Sequence, residues 1–198
     1  QRNMKQILII LIAIAQSVLI YGQDLKKTGT LSEIVDYKLS GYSILDTTSG
    51  DLNRDSFKDL IVIYIKDTEE KTSDVIDNPV YRPLLIYIGQ SNGTLKMTAK
   101  NEKAVLCYDC GGVMGDPFSQ VVIKNGYFTV EHYGGSSWRW TRFVTFKYST
   151  SDSNWYLHRD GGDSFHASDP KNVTTNVKTT KDFGVIPFDK FDIYKEYE

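Results

Sequence analysis

The chain has 198 residues, with 23 Lys and Arg, 25 Asp and Glu, three His and two Cys, and a formal net charge of -2 at pH 7. Hydrophobic residues make up 40% and charged residues 24%, which is typical of a folded domain and argues against a disordered chain. The near-neutral charge disfavours a nucleic-acid partner, because phosphate contacts need a basic surface. Two cysteines are too few for a disulfide-dense scaffold.

Residues 1–22 have the pattern of an export signal. Lys5 precedes an unbroken apolar run from Ile7 to Ala15, and the chain turns polar after Gly22. We expect cleavage after Gly22, with Ala15 as the alternative; an uncleaved transmembrane helix competes, although polar residues interrupt the run after Ala15. Removing these 22 of the 198 residues, with two basic residues and no acid, leaves 176 residues and a charge of -4. The predicted location is the periplasm, the cell surface or the medium, without a stable membrane span.

An oxygen-rich loop runs from Asp51 to Leu60 and leads directly into the apolar run 61–65. Oxygen-bearing side chains stand at alternate positions, which point inward in a tight loop, and calcium takes about six to eight oxygen ligands. Three carboxylates so close together repel one another when no cation lies between them. The sequence therefore predicts a site for a hard cation; the alternative is a solvated Asp- and Asn-rich turn without an ion.

This loop and its surroundings resemble the FG-GAP repeat, an integrin α-like or VCBS-like unit in which an Asp-x-Asn/Asp-x-Asp-Gly-x-x-Asp-Leu loop enters an apolar strand. Residues 85–89 and 92–94 resemble the second hairpin of such a blade. The resemblance covers residues 41–97 in a single copy and departs from the family at Ser56, where glycine is usual. It implies calcium bound for a structural purpose by Asp51, Asn53, Asp55, Phe57 (through its carbonyl oxygen) and Asp59.

Two segments in the middle of the chain are predicted to be loops. Residues 67–82 are polar and show no strand pattern, so we expect an exposed flap. Cys107 and Cys110 form a CxxC pair, which in an oxidising compartment favours a local disulfide. A thioredoxin-type role would place the pair at a helix N-terminus, and a zinc site would need a second Cys or His pair in register.

The second half of the chain is typical of antiparallel strands. Asn125-Gly126 separates two apolar runs and favours a type I′ hairpin turn. Between residues 138 and 148, alternate side chains would face opposite sides of a strand, and the even positions are the more apolar. Arg142, on that side, would need a carboxylate or carbonyl partner. The side chains expected to face the core are Trp138, Trp140, Arg142, Val144, Phe146 and Tyr148.

Two further segments are candidates for binding or catalysis. A predicted binding rim beside the glycine- and serine-rich stretch comprises Tyr133, Ser136, Ser137, Trp138 and Arg139. The segment 158–169 is predicted to be a surface loop; its alternative role is a metal-dependent hydrolytic site, since His and carboxylates serve as ligands and bases. The residues of that alternative site are His158, Asp160, Asp163 and His166. Residues 110–118 and 132–140 resemble segments of exported bacterial proteins, a resemblance that implies no activity.

The chain as a whole is predicted to be all-β. After the signal at 1–22 we expect one domain over residues 23–198, with antiparallel sheets arranged as a sandwich or as part of a propeller. Residues 41–97 would form the part with the calcium loop between strands, and 104–165 a second antiparallel sheet.

The leading functional hypothesis is an exported, non-enzymatic, calcium-stabilised monomer that binds a partner or associates with the cell envelope. The partner would be a protein or a glycan, and the contact surface would combine the 67–82 flap with segments 111–118 and 134–138. One alternative is an exported metal-dependent hydrolase that uses residues 158–169. The other is a periplasmic inhibitor or immunity-type protein.

Overall fold

The computed structural model describes residues 25–196 of the chain. The predicted signal peptide at 1–22 lies outside these residues. Within them the protein is all-β, as predicted, and its strands form two five-stranded sheets in which all neighbouring strands are antiparallel.

The first sheet has the strand order β1-β5-β4-β3-β2. Its strands are β1 (Thr28–Gly29), β2 (Tyr42–Gly50), β3 (Asp59–Lys66), β4 (Leu84–Gly89) and β5 (Leu95–Asn101). β3 and β4 are continuous apolar runs because both of their faces are buried. In β3, Ile61 and Ile63 face the core shared with the second sheet, whereas Leu60 and Val62 pack in a smaller cluster with Ile34.

The second sheet is a meander in which each strand pairs with the next one along the chain. Its strands are β6 (Phe118–Lys124), β7 (Tyr127–Gly135), β8 (Trp138–Ser149), β9 (Asn154–His166) and β10 (Asp169–Thr179). The β6–β7 connection has positive φ at Asn125 (54°) and Gly126 (78°), which confirms the predicted turn. This sheet begins later than residue 104 and continues past residue 165, because β10 extends it to Thr179.

The two sheets share one hydrophobic core. In it, the rings of Phe128 and Phe146 stack with centroids 4.9 Å apart, and Phe188 meets both rings edge-on. Val144 and Phe146 confirm the predicted inward side of β8, but Trp138 does not, since its side chain is 64% exposed. Trp138 is the first residue of β8 and lies past the part of the sheet that the core covers.

Short helical segments connect the strands. They are α1 (Leu31–Val35), α2 (Glu69–Thr72), α3 (Thr180–Phe183) and two 3-10 segments, Tyr108–Met114 and Phe188–Lys190. The N-terminal end of α1 is fixed by a capping box, in which Thr30 and Glu33 bond to each other's backbone amides. Within residues 25–196, no helix has the length and apolar character needed to cross a membrane.

Candidate functional site

The acidic loop, residues 51–59, connects β2 to β3 and folds around its own backbone amides. Asp51 accepts hydrogen bonds from the amides of Arg54 (2.6 Å) and Ser56 (3.1 Å). Arg54 and Ser56 both have left-handed backbones, with φ of 67° and 72°. This conformation costs a non-glycine residue about 1–2 kcal/mol, so glycine would fit the backbone at position 56 better than the Ser56 that this chain has.

The middle of the acidic loop brings two further predicted ligands together. Asn53 Nδ2 donates a hydrogen bond to Asp55 Oδ2 at 2.7 Å, while Asn53 Oδ1 accepts from the amide of Asp55. The other carboxylate oxygen of Asp55 accepts from the amide of Phe57 at 2.8 Å. The side chains at loop positions three and five therefore contact each other through a hydrogen bond.

Asp59 is buried at the start of β3 and holds the loop to the neighbouring strand. Its Oδ2 accepts a hydrogen bond from the amide of Leu52 at 2.6 Å, and its Oδ1 accepts one from the amide of Gly89 at 2.9 Å. Burial raises the pKa of Asp59, the two amide hydrogen bonds oppose the rise, and the negative charges of Asp55 and Asp51 add to it. Three carboxylates of this loop therefore interact electrostatically.

The candidate ligand atoms of the acidic loop are all oxygen atoms, which is the type of ligand that a hard cation prefers. No Lys or Arg described by the structure forms an ion pair with Asp51, Asp55 or Asp59. Over residues 25–196, however, no three His, Cys, Asp or Glu side chains are grouped closely enough to hold a metal ion as they stand. Calcium binding would thus require these side chains to draw closer together.

A second region of interest is the apolar end of the molecule, where three separate segments meet. Its exposed apolar side chains are Val75, Ile76, Val113, Met114 and Trp138, with Ile76 85% and Val113 84% exposed. Asp109 joins the first two segments, since its carboxylate accepts hydrogen bonds from the Val75 amide (2.8 Å) and the Ser73 hydroxyl (2.6 Å). Arg139, next to Trp138, contacts the sulfur of Met114.

The predicted rim residues lie at this same end. Ser136, Ser137 and Trp138 are exposed at the turn between β7 and β8. The ring of Trp138 lies edge-on to His166, with centroids 5.3 Å apart. Tyr133 is half-buried, and its amide donates to the carbonyl of Pro117 at 2.8 Å. This hydrogen bond joins β7, which leads into the rim, to the residue before β6.

A buried ion cluster fixes the flap, which was predicted to be exposed. Arg82 Nε donates to Glu69 at 2.8 Å, and its two terminal nitrogens bind both oxygens of Asp116 at 2.8 and 2.7 Å. Glu69 and Arg82 are completely buried, so the prediction of an exposed flap is wrong at these two residues, whereas most other residues of 67–82 are exposed. Burial raises the pKa of Glu69, and the positive charge of Arg82 opposes that rise.

The predicted disulfide between Cys107 and Cys110 is present and lies beside this cluster. It closes the start of the 3-10 segment, whose Tyr108 amide donates to Glu69 at 2.8 Å. The disulfide constrains the start of the 3-10 segment itself, and the ion cluster holds that segment against the flap. Sequence reasoning found the first and missed the second, because charged partners 13 and 34 residues apart leave no local pattern.

The candidates of the 158–169 segment do not form one cluster. Residues 158–166 are the second half of β9 and not a loop; a strand rises about 3.3 Å per residue, which places His158 and His166 about 26 Å apart. The ring of His158 lies near Tyr127, whereas His166 contacts Trp138. Asp163 accepts a hydrogen bond from Thr175. The structure therefore does not bring the four candidates together; they are His158, Asp160, Asp163 and His166.

Arg142 has the carboxylate and carbonyl partners that its place on the inner side of β8 requires. Its Nε and Nη2 bind both oxygens of Asp160 at 2.9 and 2.7 Å, and Nη1 donates to the carbonyl of Ile193 at 2.9 Å. This pair lines a surface cavity of about 610 Å³, together with Trp140 and Asn176. The lining carries acids and bases in similar number, so it has no marked preference for either charge.

His132 lies deep in the second sheet and escaped the sequence analysis. It is 1% exposed, and its Nε2 accepts a hydrogen bond from the amide of Leu106 at 3.2 Å. Burial lowers the pKa of His132 to about 3, and the positive charges of Arg142 and Arg82 contribute. His132 is therefore neutral at ordinary pH and acts as a structural acceptor.

The chain matches no model of a known protein family and no curated protein. A functional proposal consequently rests on the residues described above and on the sequence resemblance of the acidic loop.

Proposed function

We propose that the protein is an exported, non-enzymatic binding module that contacts a protein partner through its apolar end. The observation that carries this proposal is the meeting of the flap, the 3-10 segment and the β7–β8 turn at one place, each with exposed apolar side chains. Contiguous exposed apolar side chains with polar neighbours are typical of protein interaction sites. An inhibitor or immunity-type protein is one form that such a module takes.

The composition of the apolar end favours a protein over a glycan. Val75, Ile76, Val113 and Met114 are aliphatic or thioether side chains, which offer no hydrogen bonds to sugar hydroxyls. Trp138 is the exposed tryptophan of this end. Protein interfaces usually have an apolar centre, in which methionine and tryptophan are enriched, surrounded by a polar rim.

The segments of the apolar end are held in place before any partner arrives. The Arg82 ion cluster and the hydrogen bonds of Asp109 fix the flap and the 3-10 segment to each other, and the Cys107–Cys110 disulfide constrains the start of the 3-10 segment. A surface that is ordered in advance loses less conformational entropy when it binds. This arrangement supports a surface used for recognition.

The test compares two exposed valines that differ only in their place. Val113 is 84% exposed at the apolar end, and Val185 is 78% exposed outside it. We expect the immobilised protein to retain a specific protein from the envelope fraction of its source cells, Val185→Asp to retain it equally, and Val113→Asp to lose it. Mass spectrometry of the eluates gives the readout. Equal retention by both variants, or by neither, would contradict the proposal.

We further propose that the acidic loop binds calcium and so stabilises the β2–β3 hairpin. The support is the set of oxygen donors from Asp51, Asn53, Asp55 and Asp59, which have no cationic partner among the described side chains. The resemblance to the FG-GAP loop points to the same ion. When bound, calcium would neutralise three carboxylates that otherwise repel one another.

Thermal unfolding in calcium and in chelator tests this second proposal. A ligand that binds only the folded state at about 100 times its Kd adds about 2.7 kcal/mol, which raises the melting temperature by several degrees. We expect that rise in the wild type and in Asp77→Ala, an exposed acid outside the loop, and no rise in Asp55→Ala. Identical wild-type curves in calcium and chelator would refute calcium binding.

A further inference from the structure

A depression of about 500 Å³ lies beside the turn between β6 and β7 and forms no part of the apolar end. It is bounded by the Asn125-Gly126 turn, the end of β8 and the beginning of β9. Arg54 of the acidic loop closes one side. We call it the basic depression, because its ionisable lining side chains other than tyrosine are Arg54, Lys147 and His158.

The fold places the three basic side chains around the Asn125-Gly126 turn and the neighbouring Tyr127. A Cβ on Gly126 would lie 3.0 Å from Arg54 Cδ, so the stem of Arg54 lies directly over the turn. The Lys147 ammonium stands 5.7 Å from the ring centroid of Tyr127, and the His158 ring lies 5.2 Å from the same ring. Tyr127 is thus flanked by two of the three bases.

The charge of the basic depression is not balanced by its own lining. No Asp or Glu lines it, and none of the ion pairs formed within residues 25–196 involves Arg54, Lys147 or His158. Asp152, outside the lining, accepts a hydrogen bond from the Tyr156 hydroxyl. Burial and the positive charges of Lys147 and Arg159 lower the pKa of His158, so the charge of this concave surface is that of Arg54 and Lys147. A concentration of one sign of charge in a concave surface attracts counter-ions, here on a chain whose net charge is -2.

Hydroxyl groups complete the lining. They belong to Tyr127, Tyr148, Ser149, Thr150, Ser151, Tyr156 and Thr180, of which the Tyr156 hydroxyl already donates to Asp152. Hydroxyls and basic side chains together offer an oxyanion several hydrogen-bond donors from different directions. A volume of about 500 Å³ is within the range of sites that hold a small organic molecule, which is larger than a bare inorganic ion.

We propose that the basic depression binds the phosphate or sulfate ester group of a small polar molecule. Arg54, Lys147 and His158 would surround the oxyanion, and the hydroxyls would bind the rest of the ligand. The proposal does not depend on the partner of the apolar end or on calcium.

Calorimetric titration in calcium-free, phosphate-free buffer at low salt tests this site, with glucose 6-phosphate, glucose 6-sulfate, glucose and inorganic phosphate as probes. We expect binding of the two esters, no binding of glucose, and weaker binding of inorganic phosphate. Arg54→Gln/Lys147→Gln should weaken ester binding at least about tenfold, since a hydrogen bond to a charged group accounts for a factor of that size. The control Lys96→Gln/Lys171→Gln makes the same change of net charge at exposed sites outside the depression and should bind within about twofold of wild type.

Several results would overturn the proposal. They are no ester binding by the wild type at about 10 mM, equal weakening in the test and control variants, and ester binding that survives the test substitutions. Binding to phosphatidylglycerol vesicles without binding to either soluble ester would also overturn it, because the ligand would then be a membrane. If the double variant does not fold, as judged by its melting curve, Lys147→Gln alone replaces it under the same criteria.

Discussion

Two groups of carboxylates in this protein are held in opposite ways. In the flap, Glu69 and Asp116 bind one buried guanidinium, that of Arg82. In the acidic loop, Asp51 and Asp59 bind only backbone amides. The first group carries its own cation, whereas among the described residues the second has backbone amides and no Lys or Arg as its partners.

The flap is stabilised by a cation that belongs to the chain, whereas the acidic loop could be stabilised further only by a cation from solution. A guanidinium supplied by the chain is always present, so the flap is fixed whatever the medium contains. The acidic loop is satisfied by amides alone and retains oxygen lone pairs for a soluble cation. If the comparison is right, removal of the flap cation should be costly in every buffer, whereas the acidic loop should respond to the ions in solution.

Arg82→Met should have the largest effect. It leaves Glu69 and Asp116 without their cation, and breaking a buried ion pair from one side costs about 3–5 kcal/mol. Urea unfolding of the variant should show this loss equally in calcium and in chelator. Lys190→Met is the control, because its ion pair with Asp189 is solvent-exposed and contributes about 0–1 kcal/mol. A loss below 1 kcal/mol in Arg82→Met would break the comparison.

His132, which is buried near Arg142 and Arg82, should make the free energy of unfolding depend on pH. Its pKa is about 3 in the folded protein, against 6.5 for an unperturbed histidine. Between these values the unfolded chain binds a proton that the folded chain does not, so the free energy of unfolding falls as the pH falls. The expected loss in the free energy of unfolding is about 3 kcal/mol at pH 4, and it vanishes above pH 7.

His132→Gln keeps an acceptor for the Leu106 amide but does not titrate. Denaturant unfolding from pH 7 to pH 4 should therefore show a smaller loss of stability in this variant than in the wild type. Parallel pH profiles for the two proteins would mean that His132 is protonated in the folded state, in conflict with its burial beside two arginines.

Asp59→Asn and Asp55→Ala sharpen the comparison within the acidic loop. Asparagine at position 59 turns an NH₂ group towards one of two amide donors, so we expect a loss of about 2 kcal/mol without calcium. Asp55 is exposed and its loss should cost about 0.5 kcal/mol. Differential scanning calorimetry in calcium-free buffer measures both. Equal losses of stability in the two variants would show that Asp59 is no more important to the fold than Asp55.

The parts of the fold that the sequence predicts are those with a local physical signature. The runs 61–65 and 84–88 are apolar because both faces of their strands are buried, and Asn125-Gly126 has the backbone that a tight hairpin needs. The partner required by Arg142 followed from the cost of burying an unpaired charge, and Asp160 meets that requirement.

The parts that sequence reasoning missed depend on long-range contacts. Gly161 and Gly162 suggested a loop, yet they lie within β9, where a Cβ on Gly162 would overlap the carbonyl oxygen of Thr141. The buried Arg82 cluster joins residues of the flap to Asp116, and nothing near Arg82 in the chain distinguishes it from a solvated base. Of the predicted site, the segments were found but not the contacts that bring them together.

The last strand has a consequence for how the molecule behaves at high concentration. No side chain of β10 is buried, although the strand runs for 11 residues along β9. It therefore contributes little to the core and instead covers the polar backbone edge of β9, which would otherwise attract strands from other molecules. Its own free edge carries Pro170 and Lys171, residues that resist such pairing. β10 thus protects the second sheet against edge-to-edge aggregation.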